Sequence, residues 1–222
     1  MNMYFVGRIV EINKITKALQ QCNNIIVTGK YGIGRTSLMR QVAKKMQDHW
    51  RFVFADFSKT SAGVCKDVLG ELSQKRHKRS DEYIKYKSCR FMIANMNLKD
   101  KRQCVIVFDN IAKLTAHKSS LIRYLAFEKK FRFVALTEAF LPKRDLFHLR
   151  AQLAPTVIIE LKHLSVQNTF ELLQYYSRKH DFDWTDSHIR ALALSSGGYP
   201  LGMKEVVAKE VEHLEKRRRT NY

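Results

Sequence analysis

Gly29-Lys30-Tyr31-Gly32-Ile33-Gly34-Arg35-Thr36-Ser37 is the stretch of this sequence best equipped for chemistry. Its glycines let the backbone curl round an anion and turn N–H groups inward, while a helix beginning just after them adds partial positive charge. The spacing G-x-x-x-x-G-x-T is intact, so the Thr36 hydroxyl is placed to hold Mg²⁺ beside the phosphates of a nucleotide. Arg35 stands where such loops want lysine. A guanidinium is planar and favours bidentate partners, whereas an ammonium is a compact point charge, so Arg35 keeps the charge but not the same reach. Lys30 offers a second ammonium or faces solvent. Val105-Ile106-Val107-Phe108-Asp109-Asn110 is an apolar strand ending in a carboxylate, and Asp109 is the partner of Thr36 for the same ion.

The elements that must position these residues are βα units. Apolar runs at Asn24 to Thr28, Phe52 to Phe57, Cys104 to Phe108, Phe131 to Thr137 and Thr156 to Leu161 read as strands buried on both faces, since they lack polar alternation. Thr36 to Gln47, Ala62 to Gln74, Tyr83 to Met96 and Ser119 to Phe127 read as the helices between them. From Ser165 onward the pattern is helical only. Ser165 caps a helix to about Lys179, Asp186 caps another, Gly197-Gly198 ends it, and Pro200 opens a last one. The expected organisation is an α/β nucleotide-binding domain over residues 1–163 and a small helical lid with a basic tail over 164–222.

The 222 residues carry 40 Lys plus Arg against 21 Asp plus Glu, a formal net charge of +19. Such an excess attracts polyanions, because each neutralised phosphate releases counterions. Two clusters concentrate it: Lys75, Arg76, Lys78 and Arg79, then Lys216, Arg217, Arg218 and Arg219. A solvated helix face and a frayed tail are the plain alternatives. Cys22, Cys65, Cys89 and Cys104 form no Cys-x-x-Cys pair, which argues against a zinc or redox motif, and Cys104 is expected to be buried. The absence of a long apolar run or signal-like start gives the expectation of a cytoplasmic protein without a membrane partner.

With these residues together, the chain resembles the STAND and origin-recognition-like branches of the AAA+ P-loop ATPases. Phe5-Val6-Gly7-Arg8 with Glu11-Ile12 is similar to a family phrase that packs near the adenine. The glycine loop is similar to the Walker A motif and Asp109-Asn110 to a STAND-type Walker B ending. Gly197-Gly198-Tyr199-Pro200-Leu201 is similar to the lid's GG-x-PL phrase.

The resemblance implies a three-layer α/β fold with a parallel five-stranded sheet in the order 5-1-4-3-2 and a short helical lid. It implies ATP and Mg²⁺ as cofactors, with Val6, Gly7, Arg8, the loop from Gly29 to Ser37, and Pro200 around the nucleotide. It also implies Thr137 as the polar residue near the γ-phosphate, although Glu138 follows where relatives often carry Ser. Asn110 stands where hydrolytic members carry Glu, so it can orient water but not accept its proton, and hydrolysis should be slow. Arg144 is the candidate arginine finger. The implied activity is a nucleotide switch on nucleic acid, DNA first, as in helpers of transposition or replication, working as a homo-oligomer or with a protein partner. A non-hydrolysing scaffold remains the alternative, and the GG-x-PL phrase argues against a small nucleotide kinase.

Overall fold

The computed structural model describes residues 4–73, 86–97 and 100–220, with backbone alone at 218–220. Five parallel strands, β1 (Asn24–Gly29), β2 (Trp50–Asp56), β3 (Gln103–Ile111), β4 (Phe131–Glu138) and β5 (Thr156–Glu160), form one sheet in the order β2-β3-β4-β1-β5. This is the order 5-1-4-3-2 read from the other edge. Its central strands are buried almost throughout, as their unbroken Val, Ile and Phe content requires.

Helices cover both faces. On one, α3 (Ser61–Ser73), α4 (Tyr86–Asn95), α5 (Ala116–Phe127) and α6 (Lys143–Gln152) enclose a core holding Phe57, Phe108 and Phe133. The Phe57 and Phe108 rings lie 4.8 Å apart and those of Phe108 and Phe133 5.7 Å, within the range of favourable aromatic pairs. On the other face, α1 (Ile9–Gln20) and α2 (Arg35–Lys45) bury Ile15, Leu19, Leu38 and Val42 against Ile25 and Val27. A third apolar cluster joins α7 (Val166–His180), α8 (Asp186–Ser195) and α9 (Pro200–Thr220) through Leu173, Tyr176, Ile189 and Met203.

Several sequence readings need correction. Neither α1 nor α6 was anticipated. α1 hides behind two polar stretches, with only Ile15, Ala18 and Leu19 fully turned to the core, and α6 buries Leu149 alone. Arg144 therefore sits in a first helical turn and is exposed. The cap of α8 is Thr185, whose side chain accepts from the His188 N–H, so Asp186 is the first helical residue. Ser165 does cap α7, accepting from Asn168 N–H at 3.2 Å. Cys104 is buried. The tail is the last turn of α9, not a frayed end, and Lys216 pairs with Glu212 at 2.7 Å. The cluster at Lys75, Arg76, Lys78 and Arg79 lies outside the described residues.

Gly198, in the turn between α8 and α9, packs against Leu164 in the segment between β5 and α7. Its φ is +74° and a Cβ there would stand 2.1 Å from the Leu164 carbonyl oxygen, while its own carbonyl accepts from Leu164 N–H at 2.9 Å. Gly70, inside α3, has open space where a Cβ would go. Gly198→Ala is expected to destabilise the protein by about 1–3 kcal/mol, because backbone strain cannot relax there. Gly70→Ala is expected to stabilise it by about 0.5–1 kcal/mol through helix propensity. Urea denaturation of both variants checks the opposite signs.

Candidate nucleotide site

β1 runs out at Gly29 and α2 begins at Arg35, so the glycine loop spans the carboxyl end of the sheet beside β4, where Gly29 stands opposite Glu138. Gly32 and Gly34 both have positive φ, +73° and +99°. Nothing lies within 4 Å of a Cβ built at Gly34, which leaves the mouth of the loop open. The N–H groups of Arg35, Thr36 and Ser37 form the first turn of α2 and have no acceptor within the helix. A cavity of about 290 Å³ opens on this turn, lined by Gly34, Thr36, Ser37, Asn110, Pro200 and Lys204 among others.

Thr36 and Asp109 meet as the sequence requires. The hydroxyl donates to the carboxylate at 2.8 and 3.1 Å. Asp109 reaches the loop because the β3–β4 register slips between Phe108 and Ile111, a bulge that ends regular pairing at the site. Asn110 takes φ +62° there, a conformation that asparagine tolerates better than most residues. Its backbone N–H donates to Asp109 at 2.9 Å and its side-chain amide to Asp56 at 3.2 Å.

Asp56, unmarked in the sequence reading, stands opposite Asp109 across β2 and β3. Burial pushes its carboxyl up, but hydrogen bonds from Ser58 and Asn110 and the charge of Lys59 outweigh that and hold it below the usual range. The signal was a carboxylate ending an otherwise apolar strand run, as at Asp109.

Arg35 departs furthest from a phosphate-binding lysine. It is 7% exposed, and its guanidinium leaves the loop for the end of β4, donating to the Thr137 carbonyl and the Glu138 carboxylate. The planar fork spans both acceptors, which an ammonium could not do with the same geometry. Glu138 is 6% exposed, and the pair is a buried salt bridge. The two unusual residues of the sequence thus satisfy each other. Glu138 Oε2 and Thr137 Oγ1 are buried without a hydrogen-bond partner.

Other expected residues fall into two groups. Val6 and Arg8 join Ile33, Ser37, Pro200 and Lys204 around a smaller hollow of about 40 Å³. Arg8 takes φ +63° as the cap of α1, donates to Glu11 at 3.0 Å and reaches the Ile33 carbonyl at 3.4 Å. Gly7 is packed on Asn168, with a Cβ there meeting Asn168 Nδ2 at 2.4 Å. Lys30 is exposed, and neither it nor Arg144 lines either hollow. Tyr31 is tied to the last helices, its carbonyl accepting from the Tyr199 hydroxyl at 2.5 Å.

Lys204 lines both hollows, a cation brought by α9 and missed in the sequence. Its place one helical turn after Pro200, on the face that meets the loop, was the available clue.

The residues fit a Mg²⁺–nucleotide phosphate at two points, the open first-turn N–H groups and the Thr36–Asp109 pair, whereas Thr137 is buried and lines neither hollow. They fit less well at Arg35, whose charge is already matched. Glu138→Ala is expected to cost about 3 kcal/mol of stability, because it strands a buried guanidinium. Urea denaturation giving a loss under about 1 kcal/mol would show that the pair is solvated rather than buried.

Solved structures share this architecture. Cdc6p from Pyrobaculum aerophilum is 11% identical, with a TM-score of 0.60 over 84% of this chain and 54% of that one. Orc1 from Aeropyrum pernix, solved in complex with DNA, is 10% identical, with a TM-score of 0.58 over 79% and 50%. The Holliday junction branch migration motor RuvB from Thermotoga maritima is 17% identical, with a TM-score of 0.59 over 92% and 61%. The chain therefore spans about half the length of the first two. No curated protein sequence matches it. At these identities the likeness shows the fold. The AAA ATPase domain model matches residues 4–136, from the FVGR phrase through β4, and the chain belongs to that family of P-loop AAA+ NTPases.

Proposed function

We propose that this protein binds Mg·ATP as a slowly hydrolysing nucleotide switch that acts on nucleic acid. The observation that carries the first part is the Thr36 hydroxyl on Asp109 at 2.8 Å beneath an open glycine loop. When bound, the ion would neutralise phosphate charge there, with Thr36 and Asp109 holding it. The N–H groups of Arg35, Thr36 and Ser37 would receive the phosphates, and Lys204 would meet them from α9. Residues 164–222 act in this reading as the lid over residues 1–163.

Two features support slow turnover. Glu138 withholds the Arg35 guanidinium from the phosphates, which leaves the loop without the cation that normally offsets their charge. Asn110, already bonded to Asp56, can orient water but cannot take its proton. Arg144, exposed at the start of α6, would reach a site only in a neighbouring copy, so a finger role requires an oligomer. The net +19 favours nucleic acid as the partner, with the helical end at Lys216 to Arg219 and the cluster at Lys75 to Arg79 as contacts. Among the described residues no helix is long and apolar enough to cross a membrane. A non-hydrolysing scaffold with the same nucleotide site is the competing reading.

Titration with a fluorescent ATP analogue should show Mg-dependent binding that Thr36→Ala and Asp109→Ala each weaken. Equal affinity in the parent and both variants would overturn the site. Phosphate release, measured with and without DNA, should be slow, and Arg35→Lys should raise it or leave it unchanged. A tenfold loss on Arg35→Lys, about 1.4 kcal/mol in the barrier, would mean that the site is built around guanidinium. No release under any condition would favour the scaffold.

A further inference from the structure

A larger hollow, about 670 Å³, opens at the opposite end of the sheet from the glycine loop. It lies at the amino ends of β1, β4 and β5, marked by Asn24, Phe131 and Pro155. Six residues of β1 separate it from the nucleotide site, roughly 20 Å at the rise of a strand. Arg123, Lys129, Arg132 and His148 line it, and no carboxylate does. Among the described residues, none of the five salt bridges takes up Arg123, Lys129 or Arg132. Concentrated positive charge without counter-charge is costly in a structural role and suits an anion.

The lining is not purely cationic. Phe127, at the end of α5, contributes a ring that is 83% exposed. Gln152 donates to Ser119 but leaves its Oε1 buried and unpartnered. Phe147, 68% exposed, packs edge-on to His148 with centroids 5.9 Å apart. Cations beside a bare aromatic face, with an acceptor to spare, match a ligand that carries phosphates, a flat base and N–H donors. The volume is within the usual span for a small-ligand pocket. A duplex would present phosphates here but keep its bases stacked, leaving Phe127 without a partner.

From this we infer that the hollow at the amino end of the sheet is a single-stranded nucleic-acid site, seating phosphates on Arg123, Lys129 and Arg132 and a base on Phe127. The inference rests on the nucleic-acid part of the proposed function and gives it a location. It separates the two ligands: nucleotide at the carboxyl end of the sheet, strand at the amino end, with β1 and β4 running between them.

The test is fluorescence anisotropy of a labelled oligothymidylate and a labelled duplex, titrated with the full chain at about 50 and 200 mM salt. Phe127→Ala should weaken the single strand about tenfold and the duplex less than about twofold. Arg123→Ala combined with Arg132→Ala should weaken binding and flatten the slope of log K against log salt by about 1.4, two phosphates' worth for a single strand. These side chains lie away from the glycine loop, so unchanged Mg·ATP-analogue affinity in each variant confirms that the fold is intact. If the unaltered protein binds neither oligonucleotide at the lower salt, the nucleic-acid reading itself fails. If it binds but is indifferent to these substitutions, that reading stands and this site is wrong. Equal loss on strand and duplex after Phe127→Ala would overturn the stacking role.

Discussion

The buried pairing of Arg35 with Glu138 sets the geometry on which the glycine loop depends. It joins the first residue of α2 to the last residue of β4, and so fixes the glycine loop between them to the end of the sheet. A buried ion pair is not in itself a strong source of stability, since desolvation offsets much of the attraction. What it does supply is a defined geometry, because a guanidinium with two fixed acceptors has little freedom. The consequence for chemistry is that the loop's arginine is spoken for, while its lysine, Lys30, is exposed and lines neither hollow. The electropositive character left to the loop comes from the N-terminus of α2 and from Lys204 on α9.

That arrangement ties the start of α9 to the glycine loop. Tyr199 bonds the Tyr31 carbonyl, and Leu201 lies where a Cβ on Gly32 would go, 2.7 Å away. The same segment delivers Lys204. Any shift of α9 would therefore move a hydrogen bond to the loop, a packing contact and a charge together. This is the kind of coupling by which bound phosphate could bias the position of a lid.

Much of this was legible in the sequence. Unbroken apolar runs announce the strands and the spacing announces the glycine loop, so β1 to β5 and the Thr36–Asp109 pair followed from residue types alone, but the edge strand β5, as apolar in sequence as the others, is not buried on both faces and leaves Ile158 exposed. The helices α1 and α6 did not, because each buries so few side chains that the apolar period is faint. Arg35 and Glu138 were each visible as departures, yet lie 103 positions apart, and only the sheet brings them together. Lys204 and Asp56 left only faint clues in their own segments, and each acquires its meaning from a neighbour across the fold. The hollow near Arg123, Lys129 and Arg132 takes its cations from one short stretch spanning α5, the turn after it and β4, and only the fold shows that they line a common cavity with His148 of α6.

The claim on which the account turns is that Glu138 and a nucleotide's phosphates compete for Arg35. Calorimetric titration of Mg·ATP into a double-mutant cycle of Arg35→Gln and Glu138→Gln measures that competition directly. The account predicts that Glu138→Gln tightens binding about tenfold when Arg35 is present and changes it little when Arg35 has been replaced, a coupling of about 1.4 kcal/mol. Effects that simply add, or weaker binding on Glu138→Gln alone, would contradict it.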